Sequence, residues 1–472
     1  MPTATPGVIA SRNPTTGTVL REFPETSADE VKTRVTAADH AYRQTLSRSY
    51  SEVIAARRKV LIRAAEILEE RADEFARTIS LEMGKTLPSA KAEVLKSAKG
   101  CRYYAEHGPG LLESEAVKLD SGSHAEIRYE PLGTVLAVMP WNFPFWQVFR
   151  CAAPILLSGN SLLLKHASNV PASALAIEAI WHEALEAEKE SKDAFATLLL
   201  PASRVDALIS DARIRGVTLT GSEGAGRKVA ANAGQSLKKT VLELGGSDPF
   251  IILPSADLER ATTVAVESRT LANGQSCIAA KRFLVHRSLY ARFRDSFVAK
   301  MSELRVGDPL HLETKIGPLA MPQIRDDLHA LVEDARAKGA KVLCGGRVPV
   351  GPGNFYPPTV IEDIPPAARL YREEAFGPLA ALYSFGTLDE AITLANATDF
   401  GLGASLWTED RGEIEICARR IESGQLFVNE LVASDPAVPF GGVKNSGYGR
   451  ELGAFGVREW TIARTLVIRR PS

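Results

Sequence analysis

The sequence predicts an α/β protein built on parallel sheets, and two observations carry that prediction. From residue 133 onward, short apolar runs alternate with Ala-rich helical stretches: GTVLAVMP, NSLLLK, ATLLLPA, GVTLTGS, TVLELGG and PFIIL. Strand, helix and strand in succession argue for right-handed βαβ units. A second set of the same kind begins near residue 250, with FLVH at 283–286, AKVLCGG and LFVNE among its strands. A chain of 472 residues can bury a large core and calls for more than one domain.

The elements before residue 133 read differently. Residues 51–84 have the pattern of one long amphipathic helix: Leu61, Ala64, Ala65, Leu68, Ala72, Phe75 and Ile79 recur at three- and four-residue spacing, and Gly84 can cap its end. Helical pattern continues to about Gly100. The stretch SGSHAEIRYEPLG then alternates and turns, which predicts a short hairpin. The chain closes on TLVIRR, a strand-like tail that either returns to its own sheet, the usual outcome, or adds to another subunit's.

Composition excludes several function classes. Lys plus Arg is 56 against 57 for Asp plus Glu, a net charge of -1, so no basic surplus points to nucleic acid. Cys101, Cys151, Cys277, Cys344 and Cys417 are odd in number and scattered, which fits a reducing compartment, not a disulfide framework. No CxxC or HExxH spacing is present, so no metal site is expected. No apolar run reaches the ~18 residues of a membrane span, and the start MPTATPGVIASRNPTTG lacks the regions of a signal peptide. A cytoplasmic protein without a membrane partner is the expectation.

Ligands of open α/β sheets collect at the carboxyl ends of the strands, and unusual residues sit at those predicted ends. After GTVLAVMP comes Trp141-Asn142, where Asn142 serves either as a helix N-cap or as an amide donor to an oxyanion. Glu243 interrupts the apolar strand TVLELGG, and is either a paired structural carboxylate or a general base with a raised pKa. Lys165 ends SLLLK, where it either snorkels or meets a phosphate or ribose hydroxyl. Glu374, in REEAFGPL, either grips a sugar hydroxyl or decorates a surface turn. The cluster GSEGAG at 221–226 lacks the GxGxxG order, although a strand–GS–helix start can still offer N–H groups to an anion. Cys277 lies in NGQSCIAAKR among small and polar residues, where a core-filling cysteine would prefer apolar neighbours. Taken alone, its ordinary reading as part of a helix cap prevails over a nucleophile.

The segments PWNFP, LLLK, LTGS, LELGGSDP, NGQSC, EEAFGP and PFGGVKNSGYGRELG, in that order over nearly the whole chain, resemble the aldehyde dehydrogenase superfamily. MPWNFPFWQVFR, KHASNVP, LTGSEGAG and the SDP before PFGG resemble its bacterial succinate-semialdehyde dehydrogenase branch. The resemblance implies that Cys277 is the nucleophile and that Asn142 and a backbone N–H hold the thiohemiacetal oxyanion. Glu243 would deprotonate the water that hydrolyses the thioester. Members that pass the acyl group to coenzyme A generally lack this base, so a free acid is the implied product. With Ile278, Ala279 and Ala280 after the nucleophile, no local disulfide switch is expected; the other four cysteines are taken as structural.

For the cofactor, the resemblance places Trp141 near the nicotinamide half, Lys165 at the adenosine ribose, Ser222 at the pyrophosphate, and Glu374 with Phe376 at the nicotinamide ribose. Many NAD-preferring relatives carry Glu three residues after the lysine; here Ser168 stands there. A Glu would repel a 2′-phosphate by about 4 kcal/mol at ~4 Å and an effective dielectric of about 20. NADP is therefore the expected cofactor, with NAD still usable. Arg150 and Ser434 match positions that hold a substrate carboxylate, with surface ion pairing as the ordinary reading of Arg150. The implied substrate is succinate semialdehyde. The rivals are another aldehyde, such as glutarate semialdehyde or an aromatic or aliphatic one, or a cofactor-free cysteine hydrolase. The implied layout is residues 1–119 and 134–242 for the cofactor, 243–441 for catalysis, 442–455 returning to the first domain, and 120–133 with 456–472 as a small β oligomerisation element. A homodimer or homotetramer would follow.

Overall fold

Two large sheets organise the computed structural model, which describes residues 7–120 and 123–469. The expected segments that reach residues 1–6, 121–122 and 470–472 lie there outside the described residues. The first sheet has the strand order Gly447–Tyr448, Lys239–Glu243, Ile214–Thr220, Thr134–Met139, Ser161–His166, Phe195–Thr197. All pairs are parallel except the short edge strand Gly447–Tyr448. The chain leaves Thr134–Met139 toward one edge and later returns to its other side. The switch point thus lies beyond the carboxyl ends of Thr134–Met139 and Ile214–Thr220, where such sheets bind ligands.

The second sheet runs Lys341–Cys344, Thr359–Glu362, Leu379–Phe385, Arg282–His286, Pro249–Ile252, Gly403–Trp407, Gln425–Val428. Only its edge strand Lys341–Cys344 is antiparallel. Each apolar run singled out after residue 133 contains a strand; the central parallel strands are buried on both faces and so are continuous apolar runs, while the edge strands Lys341–Cys344 and Gln425–Val428 are only partly buried. Ser161–His166, for example, is buried throughout. ATLLLPA contributes least: the strand stops at Thr197, and Leu199 turns its backbone to Thr26 instead.

The single helix expected over 51–84 is two, Tyr50–Glu70 and Ala72–Met83, because Arg71 departs from helical dihedrals (φ -111, ψ 23). The break lets both segments pack on the following helix, Leu87–Leu111. Gly84 caps the second with φ 80, as its position implies. Helix Leu87–Leu111 runs past Gly100, whose missing side chain makes room for Trp146: a Cβ there would stand 3.0 Å from the indole ring. The hairpin expected within SGSHAEIRYEPLG starts earlier: His124–Pro131 is one continuous strand that pairs with Glu115–Lys118 upstream, and the tail strand Thr461–Ile468 returns to pair antiparallel with it on its other side.

Helix Trp146–Leu157 follows the first strand of the switch point and is buried on every side. It does not begin at Pro144, and Asn142 does not cap it. Its opening N–H groups, at Phe145 and Trp146, donate instead to Glu93 Oε1 at 2.8 and 3.1 Å. The other oxygen of Glu93 pairs with the buried ammonium of Lys85, which lies 3.7 Å from the centre of the Phe143 ring. Removing one partner of a buried pair leaves an uncompensated charge at a cost of about 3–5 kcal/mol. Glu93→Ala is therefore expected to lower the thermal unfolding temperature sharply. An unchanged temperature would show that this pair does not hold the helix start.

Candidate active site

The segment before Cys277 carries three consecutive left-handed residues, Ala272 (φ 51), Asn273 (φ 60) and Gly274 (φ 75). Non-glycine residues held there cost about 1–3 kcal/mol each and persist only where their surroundings fix them. The polar neighbours of Cys277 do that fixing. Asn273 donates to Gly84 O at 2.8 Å and accepts from Gly317 N at 2.9 Å, while Gln275 Oε1 accepts from Ala320 N at 2.9 Å. Buried Arg269 donates to Gly274 O at 2.6 Å. Asn142 Nδ2 reaches across from the first sheet to Gln275 O at 2.9 Å. Beyond the cysteine, Lys281 Nζ donates to Ser276 O (2.8 Å) and Cys277 O (2.6 Å) and pairs with Glu374 at 3.2 Å.

Cys277 stands where two cavities meet. One, of about 280 Å³, is lined by Trp141, Asn142, Ser222, Gly245, Glu374 and Phe376. The other, of about 200 Å³, is lined by Lys96, Trp146, Arg150, Ile278, Ser434 and Phe440. Cys277 and Gln147 line both. The second is the smaller of the two, a size that suits a short substrate. The structure therefore gathers Trp141, Asn142, Ser222, Glu374 and Phe376 on one side of the sulfur, and Arg150 with Ser434 on the other.

Donors for an oxyanion are in place at the junction. Asn142 uses one amide hydrogen on Gln275 and keeps a second. The N–H of Cys277 makes no hydrogen bond among the described residues. Burial pushes the Cys277 thiol up to about 12; Lys281 and Arg150 pull the other way, and Glu374 and Asp248 add to the rise. The thiol is thus protonated at neutral pH and needs a base to become a nucleophile.

Glu243 ends its strand beside Thr220, fully inside, with neither carboxylate oxygen hydrogen-bonded among the described residues. Burial first, and then the charge of Glu451, hold its carboxyl well above the usual range. It does not line either cavity. Its next residues, Leu244 and Gly245, line the first, and the carboxylate rests near Gly441, where a Cβ would stand 2.9 Å from Oε1.

Arg150 is not the surface ion pair of its ordinary reading. It reaches the wall of the second cavity, yet its guanidinium is ion-paired with buried Glu451, hydrogen-bonded to Thr220 at 3.3 Å and set over the Phe440 ring. Glu451 compensates its charge, while its Nε has no hydrogen-bond partner among the described residues. The pairing is internal, not at the surface, because its helix has no exposed face.

On the first-cavity side, Phe376 meets Trp141 edge-on with ring centroids 5.7 Å apart. Ser222 caps helix Glu223–Gln235, whose N-terminus is an anion-binding feature. Lys165 and Ser168 do not line this cavity; they lie at and just past the end of the adjacent strand. Lys165 is buried and makes neither ion pair nor hydrogen bond among the described residues, and burial pulls its pKa down. An orphaned buried ammonium, a helix N-terminus and an aromatic wall form the donor set that a dinucleotide with its phosphates would fit. Ser168 is exposed.

Comparison with known proteins agrees with this geometry. Residues 2–466 match the aldehyde dehydrogenase family. The chain belongs to that family. An aldehyde dehydrogenase of Paenarthrobacter nicotinovorans is 50% identical over 97% of this chain and 99% of that protein. A succinate-semialdehyde dehydrogenase [NADP(+)] of Mycobacterium ulcerans is 50% identical over the same shares of the two chains. Among solved structures, the succinic semialdehyde dehydrogenase of Streptococcus pyogenes in complex with NADP+ superposes with a TM-score of 0.94 at 34% identity, covering 98% of this chain and all of that one. No helix among the described residues is long and apolar enough to cross a membrane, and no group of metal-ligating side chains is present among them.

For this aldehyde dehydrogenase, sequence reasoning missed Glu93, Lys96, Gln147, Lys281 and Glu451. Lys281 lies four residues after Cys277, Gln147 lies within MPWNFPFWQVFR and Glu451 within PFGGVKNSGYGRELG, whereas Glu93 and Lys96 fall in no quoted motif. Because Lys281 is the cation that most favours the thiolate, Lys281→Met is expected to slow alkylation of Cys277 by iodoacetamide several-fold at neutral pH. An equal or faster rate would remove Lys281 from the electrostatics of the sulfur.

Proposed function

We propose that this enzyme oxidises succinate semialdehyde to succinate, with NADP preferred and NAD as a poorer substitute. The observation that carries the proposal is the position of Cys277 between two cavities: one with a donor set for a dinucleotide, the other small and containing cationic side chains. The names of the Mycobacterium ulcerans and Streptococcus pyogenes relatives support both the aldehyde and the cofactor.

The residues divide the work as follows. Glu243 takes the thiol proton of Cys277 and passes it to solvent, the thiolate adds to the aldehyde carbon, and the oxyanion so formed takes the second amide hydrogen of Asn142 and the N–H of Cys277. NADP, when bound, supplies the acceptor for the hydride that leaves this carbon as the thioester forms. Glu243, turning from its buried position toward Cys277, takes the proton of the water that hydrolyses the thioester. Burial and the charge of Glu451 raise its pKa, which strengthens it as a proton acceptor. Trp141, Phe376, Glu374 and Ser222 hold the cofactor along the first cavity, with Lys165 at the adenosine end. Ser168 presents no carboxylate to a 2′-phosphate.

The same reading assigns residues 1–119, 134–242 and 442–455 to the cofactor domain and 243–441 to the catalytic domain. Residues 120–133 and 456–472 form the oligomerisation element of a cytoplasmic dimer or tetramer. Exposed Ile462, Val467 and Ile468 on the tail strand support that contact.

The test is cofactor reduction with succinate semialdehyde, glutarate semialdehyde and butanal, each with NADP and NAD. The highest kcat/KM is expected for succinate semialdehyde with NADP, and Ser168→Glu should move the cofactor ratio toward NAD. Equal turnover of butanal would defeat the carboxylate recognition. An unchanged ratio in the variant would defeat the role of Ser168. Absence of reduced cofactor with every aldehyde would leave Cys277 as a hydrolase nucleophile.

A further inference from the structure

The charged side chains that line the smaller cavity are Glu93, Lys96 and Arg150. Two of them are already matched. Glu93 is paired with Lys85 and accepts two backbone N–H groups, and Arg150 is paired with Glu451. Lys96 has no carboxylate partner among the described residues. Its ammonium donates to Ser434 Oγ at 2.9 Å and lies 4.7 Å from the centre of the Trp146 ring. Asp435, the nearest acid in sequence to that serine, is paired at 3.2 Å with Lys99 instead. The wall therefore carries one unmatched positive charge, placed beside Ser434.

Ser434 is itself oriented by these contacts. Its oxygen accepts from both Lys96 Nζ and Trp146 Nε1, the latter at 3.0 Å. A hydroxyl that accepts twice keeps its own hydrogen to donate. Lys96 and Ser434 thus offer an ammonium and an O–H at one place in a cavity whose wall also includes Cys277. Apolar Leu271, Ile278 and Phe440 line the same cavity and suit methylene groups.

We propose that Lys96 and Ser434 together receive the carboxylate of an ω-carboxy aldehyde, while Arg150 stays bound to Glu451. This rests on the acid-aldehyde reading above and adds which cation recognises the acid. Arg150 is poorly placed for the task, because taking up a substrate carboxylate would mean releasing Glu451 inside the protein, where an unpaired charge is costly. Lys96 has nothing to release.

The choice of lysine has a consequence that an arginine would not share. Burial first, and then the neighbouring Arg150, pull the pKa of Lys96 down to about 8; Glu93 and Asp435 oppose this, and Lys99 adds to it. In the free enzyme the ammonium is present below that pH and lost above it, whereas a guanidinium keeps its charge throughout. Recognition of the acid aldehyde should therefore weaken as pH rises through about 8.

The experiment compares kcat/KM for succinate semialdehyde and butanal, with NADP, in the wild type, Lys96→Met and Lys96→Arg, across pH. Titration of Cys277 and Glu243 affects both aldehydes and cancels in their ratio. Loss of a charge-assisted contact predicts that Lys96→Met reduces the acid-to-neutral ratio about 10–100-fold, mainly through KM for the acid. The wild-type ratio should fall with rising pH, and the Lys96→Arg ratio should stay level. A wild type that prefers succinate semialdehyde, with a preference that survives Lys96→Met or does not change with pH, would overturn the assignment to Lys96 alone. A wild type with no preference for the acid would overturn the parent reading as well.

Discussion

The hydrogen bond from Asn142 to the carbonyl of Gln275 links the segments that follow one sheet and precede the other, beside Cys277. Asn142 follows the strand Thr134–Met139 of the first sheet, and Gln275 stands two residues before the cysteine that leads into the strand Arg282–His286 of the second. A segment threaded between two sheets must satisfy its backbone groups without a ladder of its own. It does so through Asn273, Gln275, Arg269 and Lys281, which leaves the sulfur open to a cavity on either side. The left-handed residues before Cys277 are tolerated because these bonds fix them.

Burial sets the electrostatics of the site, and paired charges limit it. Burial favours the neutral forms of both Cys277 and Glu243. Arg150 and Glu451 neutralise one another beside them, as do Lys85 and Glu93 at the start of the helix that carries Arg150. Against this background of matched charge, the unmatched ammonium groups stand out: Lys165 toward the dinucleotide side, Lys96 toward the substrate side.

Much of this was legible in the sequence, for physical reasons that differ by element. Strands after residue 133 are buried on both faces and therefore appear as apolar runs, and the residues just beyond them, Trp141, Asn142 and Ser222, line the first cavity. Periodicity is blind to a break confined to one residue, so the pause at Arg71 went unseen. Gly100 looked like a helix end, although it is a contact made small for Trp146. The polarity around Cys277 was visible, but its anchoring role depends on Gly84, Gly317 and Ala320, which are distant in sequence. Arg150 and Lys96 show the same limit. Which cation is free depends on where Glu451 and Asp435 fall in space, and no local pattern records that.

Acylation of Cys277 is open to direct capture. Glu243→Gln enzyme, mixed with succinate semialdehyde and NADP, quenched in acid and digested, can be read by mass spectrometry alongside the amount of NADPH formed. The expected result is a succinyl increment on the peptide that carries Cys277, in step with NADPH and absent without the cofactor. NADPH formation with Cys277 unmodified at every quench time, or with the increment on another residue, would contradict a thioester at the junction of the two cavities.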